Sequence, residues 1–130
     1  MTSEVDFSDW EKLDLRVGKI LKVEDIEGAD KLYKLEVDLG KELGKSKSEI
    51  STDSSLKKNP NQRTICAGIK KYYSKEELIG KKVIVFVNLK PRMLRGIESQ
   101  GMLLAASDKD DKHVILISPE SDIEVGSKIR

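Results

Sequence analysis

SKEELIGKKVIVFV, residues 74–87, places a helix start and a buried strand side by side. Ser74 followed three residues later by Glu77 is a capping box: the serine oxygen accepts from the N3 amide while the glutamate reaches back to the serine amide. It predicts a helix of one to two turns, which Gly80 stops. Val83 to Val87 is an unbroken apolar run, the pattern of a strand buried on both faces. What this helix–strand pair means depends on how many strands lie on either side of it.

Upstream, residues 15–26 (LRVGKILKVEDI) set Leu15, Val17, Leu21 and Val23 at even spacing, a long half-buried strand with Gly18 as a place to bend. Leu35, Val37 and Leu39 alternate with Lys34, Glu36 and Asp38, and Gly40 ends that second strand. Residues 41–62 are polar and rich in Ser, Lys and Asn, a long loop. Strand character returns at Ile65, Ala67 and Ile69. Near the N-terminus, Ser8-Asp9-Trp10-Glu11 is another capping box and predicts a short helix from Asp9 to about Leu13.

Downstream of Val87 comes a basic loop, residues 88–100, then a strand at 101–106 (GMLLAA). DKDDK (108–112) is a turn, and VILI (114–117) a further short strand. A helix between the third and fourth of five strands is the layout of the OB-fold, a small Greek-key barrel whose closure removes exposed edges. The expectation is therefore an all-β, five-stranded OB-fold barrel with short helices. It forms one domain over residues 1–130, with its core at about 13–106 and a C-terminal extension at 107–130. On this register the loop between strands four and five lies at the edge where OB-folds commonly hold oligonucleotides or oligosaccharides.

Composition narrows the function. The chain has 130 residues, 38% apolar and 36% charged, which suits one soluble globular domain. No apolar run approaches the roughly 20 residues of a membrane span, and the acidic start is not a signal peptide. The single Cys66 precludes an internal disulfide and points to a reducing, cytoplasmic setting. One Cys and one His113 cannot complete a four-ligand zinc site. Nothing in the sequence calls for a metal or other cofactor, and no catalytic constellation is visible, so a non-enzymatic role is expected.

The net charge is +1, but it is segregated: residues 55–95 carry eleven Lys/Arg against two Glu, leaving −8 for the rest of the chain. Such polarity points to a polyanion-binding face. Within it, Lys90-Pro91-Arg92-Met93-Leu94-Arg95 combines a proline-stiffened backbone with guanidinium groups suited to bidentate phosphate contact. Gly96 permits positive φ, Ser99 can donate to a phosphate or 2′-hydroxyl, and Met102 can pack against a base or serve as core. Aromatic platforms are few. Phe86 and Trp10 read as packing residues, with Tyr33, Tyr72 and Tyr73 left as surface candidates, so reading of backbone and shape is favoured over base readout.

These residues resemble the tRNA-binding domain family, the OB-fold module appended to or free-standing beside methionyl-tRNA synthetases. The likeness is carried by Leu13-Asp14-Leu15-Arg16-Val17-Gly18-Lys19-Ile20, by Ala29-Asp30-Lys31-Leu32-Tyr33, and by Val37-Asp38-Leu39-Gly40. It continues in Tyr72 to Leu78, Gly80-Lys81, Asn88-Leu89-Lys90-Pro91, Leu94-Arg95-Gly96, Ser99 to Ala106, and Val125 to Ile129. The resemblance implies binding of the tRNA body without choice among tRNA species. It implies contacts by Asn88, Lys90, Arg92, Arg95, Ser99 and Met102, with Arg63 as an addition. It further implies a homodimer built by residues 107–130 with the first helix, and service to methionyl-tRNA synthetase as an auxiliary subunit. Departures from the family pattern are Glu27-Gly28 for a common His-Pro, Met93 for a common lysine, Ala67-Gly68 for a common Ser-Gly, and a longer 41–62 loop. Two other readings stand beside it: a peptide-binding, secretion-chaperone-like OB-fold dimer, which needs an exposed apolar groove, and an assembly module that only docks a synthetase.

Overall fold

Alternating aliphatic and charged residues make Leu15–Ile26 (β1) and Ala29–Asp38 (β2) one long antiparallel hairpin in the computed structural model, which describes residues 3–40 and 61–130. Strand β1 serves two partners. Its first half, Leu15 to Lys19, pairs with Lys82–Phe86 (β4), and Lys19 onward pairs with β2. Gly18 sits just before this handover, and a Cβ there would lie 2.8 Å from Val37 Cγ1 and 2.9 Å from Val85 Cγ2. The glycine is needed for close packing between strands, not for a bend. The bend falls at Leu21, an extra residue between the Ile20 and Lys22 pairings.

Strand β3 (Gln62–Ala67) pairs with β2, giving the sheet order β3-β2-β1-β4-β7, where β7 is Met102–Leu103. The sheet curls until its edges meet: the Gln100 amide, just ahead of β7, donates to Thr64 O of β3 at 2.7 Å. Helix α2 (Lys75–Leu78) lies between β3 and β4 as the capping box predicts, with both reciprocal bonds formed and Leu78 fully buried. Ile20, Leu35, Val37, Leu39, Ile65, Val83 and Val85 fill the interior. The molecule is thus all-β and OB-like, with the helix where five-strand counting put it.

Three further expectations need correction. Helix α1 is Phe7–Glu11, starting ahead of the expected Asp9, and its cap residue Asp6 makes no side-chain bond. Because Ser8 already lies inside the first turn, it cannot cap. The expected strand at 101–106 is broken: Ala105–Ser107 (β8) leaves the barrel to pair with Val114–Leu116 (β9) across a 3-10 turn at Lys109–Asp111. The basic loop is itself structured, as described below. The expected long loop at 41–62 falls outside the described residues except for its last two positions.

The C-terminal extension covers the flank of β1 that β2 leaves open. Gly126 N donates to Val17 O at 2.8 Å, Val17 N to Ser127 O at 2.9 Å and Ile129 N to Leu15 O at 2.9 Å. Beneath it a second apolar cluster joins Leu15, Val17 and Ile84 to Trp10, Phe86, Leu104 and Ile129.

Candidate functional site

Residues 88–100 form a β-hairpin in place of the expected loop, with Arg92–Leu94 (β5) paired to Ile97–Ser99 (β6) in the register Arg92↔Ser99, Met93↔Glu98, Leu94↔Ile97. Its turn is Arg95-Gly96, with φ of 51° and 80°. Two successive positive φ values mark the two-residue type I′ turn, whose twist matches that of the flanking strands. Arginine at the first of these positions is strained by about 1–2 kcal/mol, since its Cβ crowds the backbone in the left-handed region. That strain is borne at the tip of the basic segment.

The hairpin is fixed to the barrel. Leu94 and Ile97 pack on Ile26, Ala29, Cys66 and Leu32. At its root, Arg63 Nη1 donates to Val87 O at 3.1 Å and to Gln100 O at 3.2 Å. Gln100 Oε1 accepts from Thr64 N at 3.0 Å, and Ser99 Oγ accepts from Cys66 N at 2.9 Å while donating to Gly101 O at 3.3 Å. Asn88 joins the other root to the segment before β1: its Oδ1 accepts from Asp14 N and its Nδ2 donates to Lys12 O, each at 2.8 Å.

The seven site residues expected from the sequence therefore separate. Lys90, Arg92 and Arg95 are exposed and make no hydrogen bond or ion pair with any described residue. Met102 is 45% exposed, so it is not core, and Met93 beside the cations is 65% exposed. Ser99, by contrast, is 5% exposed and its hydroxyl bonds are made inside the protein. Asn88 is at the surface, but its amide oxygen and nitrogen both bind backbone. Arg63 is half-buried; burial lowers its pKa from the ordinary arginine value, with Asp14 pulling the other way. The sequence reading missed Gln100 and the Arg95-Gly96 turn; the dipeptide ending in glycine between two short apolar-containing runs was the available signal.

Charge in space is narrower than charge along the chain. Lys70 and Lys75 pair with Asp25 at 3.1 and 2.9 Å, and Lys82 pairs with Asp122 at 2.8 Å. These lysines of the basic segment are answered by carboxylates from outside it; among the described residues the cations of that segment without a partner are Lys71, Lys81 and the three grouped on the hairpin, Lys90, Arg92 and Arg95. Arg95 reaches the rim of an open groove shared with Gly28, Asp30, Lys31, Leu32 and Gly68, so the basic hairpin and the β1–β2 turn border the same space. The tyrosines are occupied structurally: Tyr33 Oη donates to Tyr73 O at 2.8 Å, Tyr73 Oη accepts from Leu116 N at 3.0 Å, and Tyr72 Oη donates to Asp111 O at 2.9 Å. Cys66 is buried, and that burial pushes its thiol pKa up, so it is a packing residue. Among the described residues no cluster of His, Cys, Asp or Glu is placed to hold a metal, and no helix is long and apolar enough to cross a membrane.

Comparison with known proteins adds three findings. The family described as putative tRNA binding domain matches residues 15–56 and 54–128. The methionine–tRNA ligase of Pyrococcus horikoshii is 48% identical over 126 residues, 97% of this chain but 14% of the ligase, so the chain spans about a seventh of that relative. Among solved structures, a MetRS-related protein from Pyrococcus horikoshii superposes with a TM-score of 0.79 at 36% identity over 99% of this chain and 100% of that one. The chaperone CsaA from Bacillus anthracis does so with 0.76 at 25% identity over 98% and 100%.

Proposed function

The chain belongs to the putative tRNA-binding domain family, and from that premise we propose that it binds tRNA through the basic hairpin, without catalysing a reaction. The observation that carries this reading is the set Lys90, Arg92 and Arg95: without a partner among the described residues, exposed, and mounted on a hairpin whose root and inner face are fixed to the barrel. A pre-ordered ligand surface loses little entropy on binding. The two guanidinium groups take phosphate oxygens in pairs, Lys90 adds a point charge, and Met102 offers an apolar contact to an exposed base. With no aromatic residue in the hairpin segment 88–100 to act as a stacking platform, the RNA is held by backbone and shape, which does not discriminate strongly among tRNAs.

The partner is methionyl-tRNA synthetase, for which the chain acts as an auxiliary binding unit. Holding the tRNA body raises its effective concentration at the synthetase. The support is the ligase relative that contains a domain similar over nearly all of this chain. The setting is cytoplasmic, and the working form is a homodimer joined through the C-terminal extension.

A second reading, a peptide-binding chaperone-like dimer, is favoured by one observation: Met93 and Met102 give the same edge two exposed, adaptable apolar side chains. One experiment separates the two. Binding of tRNA by the wild type and by Arg92→Ala/Arg95→Ala is measured across a salt series. The expected result is tRNA binding that weakens with salt, and a double variant whose log–log slope is smaller by roughly 1 to 2. A wild type that ignores tRNA but captures unfolded peptide, or a double variant that binds tRNA equally well, refutes the RNA reading of this hairpin.

A further inference from the structure

We propose that Arg63 is a positioning residue that fastens the two roots of the basic hairpin to each other and does not itself hold RNA. This rests on the tRNA-binding reading above and assigns a different role to a cation that the family resemblance counted as a contact.

The geometry is specific. Residues 88–99 leave the barrel after Val87 and return at Gln100, and one guanidinium nitrogen of Arg63 bonds the carbonyls of both, at 3.1 and 3.2 Å. The β4–β7 ladder joins the two sides as far as the Phe86↔Met102 pair. Beyond that pair, Asn88 and Val87 N hold the outgoing side to residues 12–14, while Ser99 and Gln100 hold the returning side to β3. There, among the described residues, Arg63 is the side chain that bonds both sides. It projects from β3, where its neighbours Thr64 and Cys66 are the strand's contacts to the returning root, so its origin is as fixed as its target. Unlike Lys90, Arg92 and Arg95, it is half-buried and already bonded. A planar guanidinium can present one N–H to each carbonyl from a fixed plane; an ammonium on a flexible stem carries the same charge without that geometry.

The two roles differ in salt dependence. A cation that displaces counterions from a phosphate lowers the log–log slope by about 1 when removed, whereas a prop that aligns other cations weakens binding at a constant slope. Arg63→Ala and Arg63→Lys are therefore measured for tRNA binding across the same salt series, with thermal melts to verify folding. Both are expected to bind about tenfold more weakly, because the hairpin must be re-ordered on binding. Both should keep the wild-type slope, and restoring the charge with lysine should bring back little of the affinity. Gln100→Ala cuts a neighbouring tie without touching a charge and should show the same loss at the same slope. Wild-type binding by Arg63→Lys, a slope lowered by about 1 in Arg63→Ala, or full affinity in Gln100→Ala overturns the assignment. The Arg92→Ala/Arg95→Ala variant separates this failure from failure of the tRNA reading itself. If it keeps the wild-type slope, the hairpin is not the RNA site; if its slope falls while Arg63→Lys binds normally, only the role of Arg63 is wrong.

Discussion

Arg95 carries two duties that oppose each other. As a cation at the hairpin tip it is a proposed RNA contact, while as a non-glycine residue at φ 51° it strains the turn. Asparagine is far better suited to that position in a type I′ turn. Arg95→Asn should therefore raise the melting temperature, with a gain of about 0.5–1 kcal/mol that is part of the left-handed penalty, while weakening tRNA binding and lowering its salt slope by about 1. Stability and binding would move in opposite directions in one variant, and melts and salt titrations read both. A second residue-scale test is Gly18→Ala, whose methyl would meet Val37 and Val85 below 3 Å. It should cost about 1–3 kcal/mol through overpacking, seen as a lower denaturant midpoint. At this scale the sequence told the truth about residue type and only in part about exposure. The cations Lys90, Arg92 and Arg95 were legible as a surface group. That Ser99 turns inward to Cys66, and that Arg63 is claimed by two carbonyls, depends on which strands cross beneath them, and no local pattern encodes that crossing.

Elements with strong local signals came out where the sequence put them, and weaker ones did not. The Ser74–Glu77 box succeeds because both of its bonds can close over a buried anchor, Leu78. The similar pattern at Ser8 fails because the helix begins earlier and buries none of its residues. The β5–β6 hairpin was signalled only by the Arg95-Gly96 dipeptide, since each strand has three residues, too few to show a period, and Pro91 and the cations read as loop. Helix α2 is also where pH enters. The hydrogen bond from Lys75, then that from Lys70, holds the Asp25 carboxyl below its ordinary pKa. A carboxylate depressed in the folded state supplies stability that is present above its unfolded pKa and lost as pH falls through the folded value. Wild type and Asp25→Asn should therefore differ in melting temperature at neutral pH and converge in acid, as pH falls through the lowered folded-state pKa of Asp25. Because the pair is exposed, high salt should narrow the neutral-pH gap. A gap that persists unchanged in acid would place the effect of Asp25 in something other than its charge.

On the scale of the whole molecule, the five-strand count with its interposed helix was enough to name the barrel, while the fate of the chain after it was not. The apolar run at 101–106 looks continuous, yet only Met102–Leu103 stays in the barrel sheet, and β8 turns away with β9 into a separate ribbon. That ribbon pairs Ala106 with Ile115, and Ile115 is 55% exposed. Ile117 and Ile123 in the same extension are 40% and 45% exposed, and Phe7 on α1 is 69% exposed. Ile117 is tied through backbone bonds to Ile84 and Leu104, whose side chains pack with Trp10 of α1, so extension and first helix belong to one side of the protein. Apolar side chains that the barrel does not use are what a second copy would cover. If the extension joins two chains, Ile115→Glu should shift the mass measured by sedimentation from dimer to monomer. The fold should remain intact, because Ile115 packs into neither the barrel interior nor the α1 cluster. A two-fold body would also present two basic hairpins to RNA. The monomeric variant should then keep the salt slope of a single hairpin when tRNA engages one copy, and lose part of it when tRNA spans both. A wild type that sediments as a single chain at micromolar concentration would remove the dimer and leave the hairpin reading untouched.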